Sequence, residues 1–135
     1  MVFSVYSDDH GVVLPDGFRD ENRAASVGPD GRAWLASGTR GLTSFGPRES
    51  LSTLTQWAGG ATGIPLELSD VVADPDGTVW IVPMDGRLLR LDPTTATVRQ
   101  HPGVSGAVRL QLDTLTTPRS LYVATSRGVV VIRSP

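Results

Sequence analysis

The chain has no cysteine and no lysine, and only two histidines among its 135 residues. Without cysteine there is no disulfide, no thiolate metal site and no cysteine nucleophile, and His10 and His101 alone cannot assemble the usual zinc ligand sets. Without lysine there is no P-loop lysine and no Schiff-base lysine. Every basic residue is arginine, and 12 of them against 14 acidic residues leave a net charge of −2. That balance lacks the broad positive surface of nonspecific nucleic-acid binding. No apolar run is longer than Val129–Ile132, far short of a membrane span. Asp8 and Asp9 interrupt the N-terminal stretch before a signal-peptide core forms. These absences lead us to expect a soluble, cytoplasmic chain with no cofactor, no metal, and neither nucleic acid nor membrane among its partners.

Turn formers and a repeat are what the chain does have. Gly 15 and Pro 10 punctuate it into many short elements, and 39% hydrophobic residues supply one domain's core. Ala25-Ser-Val-Gly-Pro-Asp-Gly-Arg-Ala-Trp34 returns as Val71-Val-Ala-Asp-Pro-Asp-Gly-Thr-Val-Trp80. A looser third copy runs from Leu110 to Tyr122, with a longer turn and tyrosine in place of tryptophan. Each aromatic is followed by a glycine-started apolar stretch, at Gly41, Gly86 and Gly128. The spacing of roughly 45 residues falls in the range of four-stranded propeller blades. Pro-Asp-Gly at 29–31 and 75–77 is a hairpin turn signal, because proline presets φ, aspartate bonds nearby backbone and glycine accepts positive φ. No segment keeps helical apolar spacing for three turns without glycine or proline.

Naming the strands of a blade a to d from the inside out, strands a, b and c are predicted at 23–28, 33–37 and 41–45, at 69–73, 79–82 and 87–91, and at 108–112, 121–125 and 128–133. Leu54–Trp57 and Val98–His101 supply d strands for the first two blades. Nothing in the sequence follows the third c strand, while Val2–Tyr6 stands at the N-terminus with no a, b or c before it. The expected fold is therefore all-β. It has three blades of four antiparallel strands, near 1–47, 48–93 and 94–135, with strand 2–6 as an offset outer strand that completes the last blade, expected to be that of another chain. Such an exchange leaves no unpaired ring edge.

Pro-Asp-Gly-Arg-Ala-Trp34 and Pro-Asp-Gly-Thr-Val-Trp80, with Gly41-Leu-Thr-Ser-Phe and Gly86-Arg-Leu-Leu-Arg-Leu-Asp-Pro after them, resemble blades of two-component-regulator-type sensor propellers and of streptogramin lyase-like propellers. The third copy, Thr117-Pro-Arg-Ser-Leu-Tyr-Val-Ala, is similar to sialidase and sortilin style blades. The resemblance implies a propeller but does not select among sensing, partner binding and catalysis. The lyases are understood to use a histidine and a glutamate near magnesium. No local motif fixes His10, His101 or Glu67 to those roles. Three blades do not close a ring, so either the chain associates, as a dimer of six blades or, second, a trimer of nine, or it is a fragment of a longer protein.

In propellers the b–c and d–a connections share one face. Arg40 and Arg127 sit at matching b–c turns where the middle blade has Asp85, and Arg23 and Arg109 start a strands. These arginines, with Asp85 and Asp70 as counter-charges, are the candidate site for an anionic small molecule or a protein ligand, since guanidinium forks carboxylate and phosphate. The alternative is that they are solvated loop charges. A second candidate is the Asp8-Asp9-His10 run, where a carboxylate beside imidazole orients it and raises its basicity. Asp74-Pro-Asp76-Gly77 lacks the later oxygens and closing glutamate of a calcium loop and reads as a turn. Trp34, Trp80 and Tyr122 share one b-strand place and read as packing between blades rather than a stacking platform. The favoured function is a noncatalytic module that forms a ring and binds at its loop face. A lyase or hydrolase with a site shared between chains is the alternative.

Overall fold

The computed structural model describes residues 22–46, 55–57 and 62–135. Sheet one contains β1 (Asn22–Val27), β2 (Ala33–Ser37), β3 (Gly41–Phe45) and β4 (Thr55–Gln56). Sheet two contains β5 (Leu68–Ala73), β6 (Val79–Pro83), β7 (Leu89–Asp92) and β8 (Thr97–Gln100). Sheet three contains β9 (Ala107–Asp113), β10 (Ser120–Thr125) and β11 (Gly128–Arg133). Every pairing is antiparallel between chain neighbours, and among the described residues there is no helix. The all-β expectation holds, and the predicted strands fall close to the observed ones. No described strand pairs with the outer edge of β11. Val2–Tyr6, expected there, lies outside the described residues, as do Asp8, Asp9 and His10.

Two hairpins are set by the anticipated turn chemistry. Gly31 and Gly77 take φ of 83° and 93°, a region side chains rarely adopt. The amide of Gly77 donates to Asp74 O, and that of Gly31 to Gly28 O, each at 3.0 Å. Asp76 Oδ1 then accepts from the amide of Thr78 at 2.8 Å, which closes the turn into β6.

The first strand of each sheet carries the same irregularity. Register slips between Asn22 and Ala24 in β1, and between Leu68 and Asp70 in β5. In β9 it slips opposite the Ala124–Thr125 step of β10. Each slip sits beside the end of the sheet where the β2–β3, β6–β7 and β10–β11 turns lie. Such bulges re-aim side chains, here at Ala24, Asp70 and Arg109.

Packing follows strand alternation. All five residues of β6 are buried because sheet two is covered on both faces. Val79 and Ile81 meet Trp34, Ala36 and Leu42 of sheet one. Trp80 and Val82 meet Leu110, Leu121 and Val123 of sheet three. Each large apolar side chain so buried contributes about 1.5–3 kcal/mol.

Candidate functional site

One edge of the stacked sheets is stitched by backbone bonds between turns and connectors. The amide of Gly41 donates to Leu66 O and that of Met84 to Glu67 O, so the connector into β5 lies between the turns of sheets one and two. The amide of Ala107 donates to Gly86 O and that of Ser126 to Gly106 O, which repeats the arrangement between sheets two and three. Gly86 needs its missing Cβ, since one would stand 2.8 Å from the Gly106 nitrogen. Arg40, Asp85 and Arg127 therefore occupy matching turns along one edge.

Their surroundings differ. Asp85 is engaged within its own turn, accepting from Arg87 Nε at 2.9 Å and from the Arg87 amide at 3.1 Å. The β2–β3 turn is held through Ser37 Oγ, which accepts from the amides of Thr39 and Arg40. The β10–β11 turn uses Thr125 Oγ1 to accept from the Arg127 amide. Arg40 and Arg127 are exposed, and neither forms an ion pair among the described residues. Arg23 is exposed on β1 and has interactions of its own. Arg109 donates from Nη1 to Ser69 O and Val108 O, both at 3.1 Å, and lines an open cleft on the outer face of sheet three. Asp70 is buried, and its two oxygens accept from the amides of Val71 at 2.8 Å and Leu110 at 2.7 Å. Its place is within the joint between sheets two and three. A smaller cleft on the stitched edge runs between Pro65–Glu67 and Pro83–Asp85.

Sequence reasoning missed a charged cluster at the opposite end of that joint. Asp74 is fully buried, and its Oδ2 accepts from Trp80 Nε1 at 3.0 Å while Oδ1 accepts from the Asp76 amide at 3.1 Å. Arg119 of sheet three brings Nε within 2.9 Å of Asp74 Oδ1 as an ion pair, and its Nη2 donates to Pro135 O at 2.8 Å. Arg90 donates to Asp76 and to Thr78 Oγ1, with its guanidinium 4.6 Å from the centre of the Trp80 ring. The local signal was an aspartate six residues before Trp80, where sheet one has Gly28 before Trp34. The Asp74–Gly77 run is the turn that was expected and also the anchor for Arg119.

Burial alone raises the Asp76 carboxyl, but the Thr78 hydroxyl and amide, with Arg90 and Arg119 beside it, outweigh that and hold it below its ordinary value. A depressed carboxyl stabilises the fold above the unfolded pKa of about 3.9 and loses that contribution as pH falls through the folded value. Melting temperature should therefore fall below about pH 4, and less steeply in Asp76→Asn. An identical acid limb in both proteins would assign the acid sensitivity to other carboxylates.

Among the described residues, no group of three or more His, Asp or Glu side chains is gathered as a metal site, and no helix is long and apolar enough to cross a membrane. The sequence matches no protein-family model and no curated protein. Solved structures do match. The extracellular domain of the BT4673 one-component system from B. thetaiotaomicron aligns at a TM-score of 0.63 with 17% identity, over 85% of this chain and 16% of that one. The fold is a β-propeller. Two further propellers agree: the gluconolactonase XC5397 from Xanthomonas campestris, at TM-score 0.62 and 18% identity, and YCF48 bound to D1 peptide, at 0.61 and 17%. This chain is covered over 86% and 83% in those two, and spans 38% and 36% of their lengths. It thus aligns to a part of each larger propeller, and the expected propeller fold holds.

Proposed function

We propose that this chain is a noncatalytic β-propeller module of three blades that closes a ring with further copies of itself and binds an anionic small molecule or a protein partner at the face carrying its b–c turns. Sheets one and two are four-stranded blades, and sheet three is a blade whose outer strand is Val2–Tyr6 from another copy. A dimer gives six blades and a trimer nine. The observation that carries ligand binding is that the two charges of the middle turn, Asp85 and Arg87, pair with each other, while exposed Arg40 and Arg127 stand at the equivalent turns on either side without an ion pair among the described residues. In a ring of two chains each guanidinium occurs twice around one mouth, where paired hydrogen bonds recognise carboxylate or phosphate. The fold has precedent for such use in YCF48, a propeller bound to a peptide.

Thermal-shift titration with inorganic phosphate and citrate tests this reading. Arg40→Ala and Arg127→Ala should each weaken binding roughly tenfold, the loss of one charge-assisted contact. Lysine replacements should restore less than the charge suggests, because the fork is lost. An anion-induced shift unchanged in both alanine variants would move the site off these turns.

A further inference from the structure

We propose that the outer face of sheet three is a docking surface for sheet one of a second copy, with Tyr122 as its central anchor; this rests on the ring reading above and specifies its joint. Tyr122 sits opposite Val131 in its hairpin, as Trp34 sits opposite Ser44 and Trp80 opposite Arg90. The two tryptophans are 3% and 2% exposed because the following sheet covers each of them. Tyr122 is 39% exposed, and on the same face Val129 and Val131 are 63% and 41% exposed. This surface borders the open cleft of about 670 Å³ along β9 and β10. It is the face that the repeat covers twice with a following sheet and leaves open at the third.

Sheet one carries the matching surface. Trp34 is received by Val71, Val79, Ile81, Leu89 and Leu91 of sheet two. The same register positions in sheet one are Ala25, Ala33, Leu35, Thr43 and Phe45, on the face turned away from sheet two. Ala25 and Val27 on that face are exposed, Ala33, Leu35 and Phe45 are half-buried, and Thr43 is buried, so the contact is made chiefly along β1 and β2. Charge complements shape. Asp113 occupies in sheet three the place of Asp74 in sheet two: Asp113 ends β9, Asp74 directly follows β5, and each accepts the amide two residues on. Asp74 pairs with Arg119, which immediately precedes β10. Arg32, which also has interactions within its own chain, immediately precedes β2, so a sheet one stacked on sheet three in the same manner brings Arg32 of the second copy to Asp113.

The test is the solution mass of the full chain, by light scattering across micromolar concentrations, with folding followed by circular dichroism. The wild type should have the mass of two or three chains of 14.3 kDa. Tyr122→Asp, which places a charge in the joint, should raise the dissociation constant by at least about 100-fold while leaving the β spectrum unchanged. Asp113→Arg should also weaken association, and adding Arg32→Asp to the same chain should restore it, which no defect of folding explains. An oligomer whose mass is unmoved by Tyr122→Asp and by Asp113→Arg overturns this joint and leaves ring formation standing by another surface. A wild type that remains at 14.3 kDa overturns both.

Discussion

Asp74→Ala should destabilise the fold by about 3 kcal/mol, measured as a lowered urea midpoint with unchanged slope. The side chain is wholly buried and joins three partners: the Trp80 indole, the Asp76 amide and Arg119. Removing it leaves an indole N–H without an acceptor inside the apolar joint, at a cost of about 1–3 kcal/mol. It also leaves Arg119 Nε, which is buried, without its counter-charge. Arg119 is 27% exposed and still reaches Asp76 and Pro135 O, which keeps the total at the lower end of the range for broken buried pairs. Asp74→Asn keeps an acceptor for the indole and removes only the charge, so about 1–2 kcal/mol is expected. A loss below about 0.5 kcal/mol in Asp74→Ala would show that Trp80 and Arg119 find other partners at no cost.

The repeat made most of the fold legible. Pro-Asp-Gly turns, glycines at 41, 86 and 128, and the aromatics at 34, 80 and 122 locate the first three strands of every sheet, since each is a local signal with a local cause. The exception is instructive. The third strand of sheet two was expected from residue 87 and starts at Leu89, because the Asp85 side chain captures the Arg87 amide and prolongs the turn. Equivalence of turns likewise gave the shared edge of Arg40, Asp85 and Arg127. What the sequence did not disclose are bonds between sheets: Ser26 Oγ accepting from the Ala73 amide, Asp70 from the Leu110 amide, and Asp74 pairing with Arg119. These contacts join residues about 40 or more positions apart, and no local pattern distinguishes an aspartate that bonds the next sheet from one facing solvent.

Asp70 shows what that difference means for function. As an a-strand carboxylate near the turn edge it reads as a counter-charge for a ligand, yet the bulge at Leu68–Asp70 turns it into the joint. There it accepts from its neighbour's amide and from Leu110 of the next sheet, a charge-assisted bond at 2.7 Å. Arg109 bonds Ser69 O alongside, so side chains and backbone lace β5 to β9 where the strands are not paired. Asp70→Ala should therefore cost about 2–4 kcal/mol, because the Leu110 amide is left buried without an acceptor. Hydrogen exchange at Leu110 should accelerate more than at Leu121, which stays paired within sheet three. Asp70→Asn should recover about half of the loss, as a neutral acceptor makes the weaker bond. Phosphate and citrate should still produce their thermal shift from the lower starting temperature, since the arginine-bearing turns are untouched. The reverse result, with stability unchanged and the anion shift lost, would take Asp70 out of the joint and put it in the binding site.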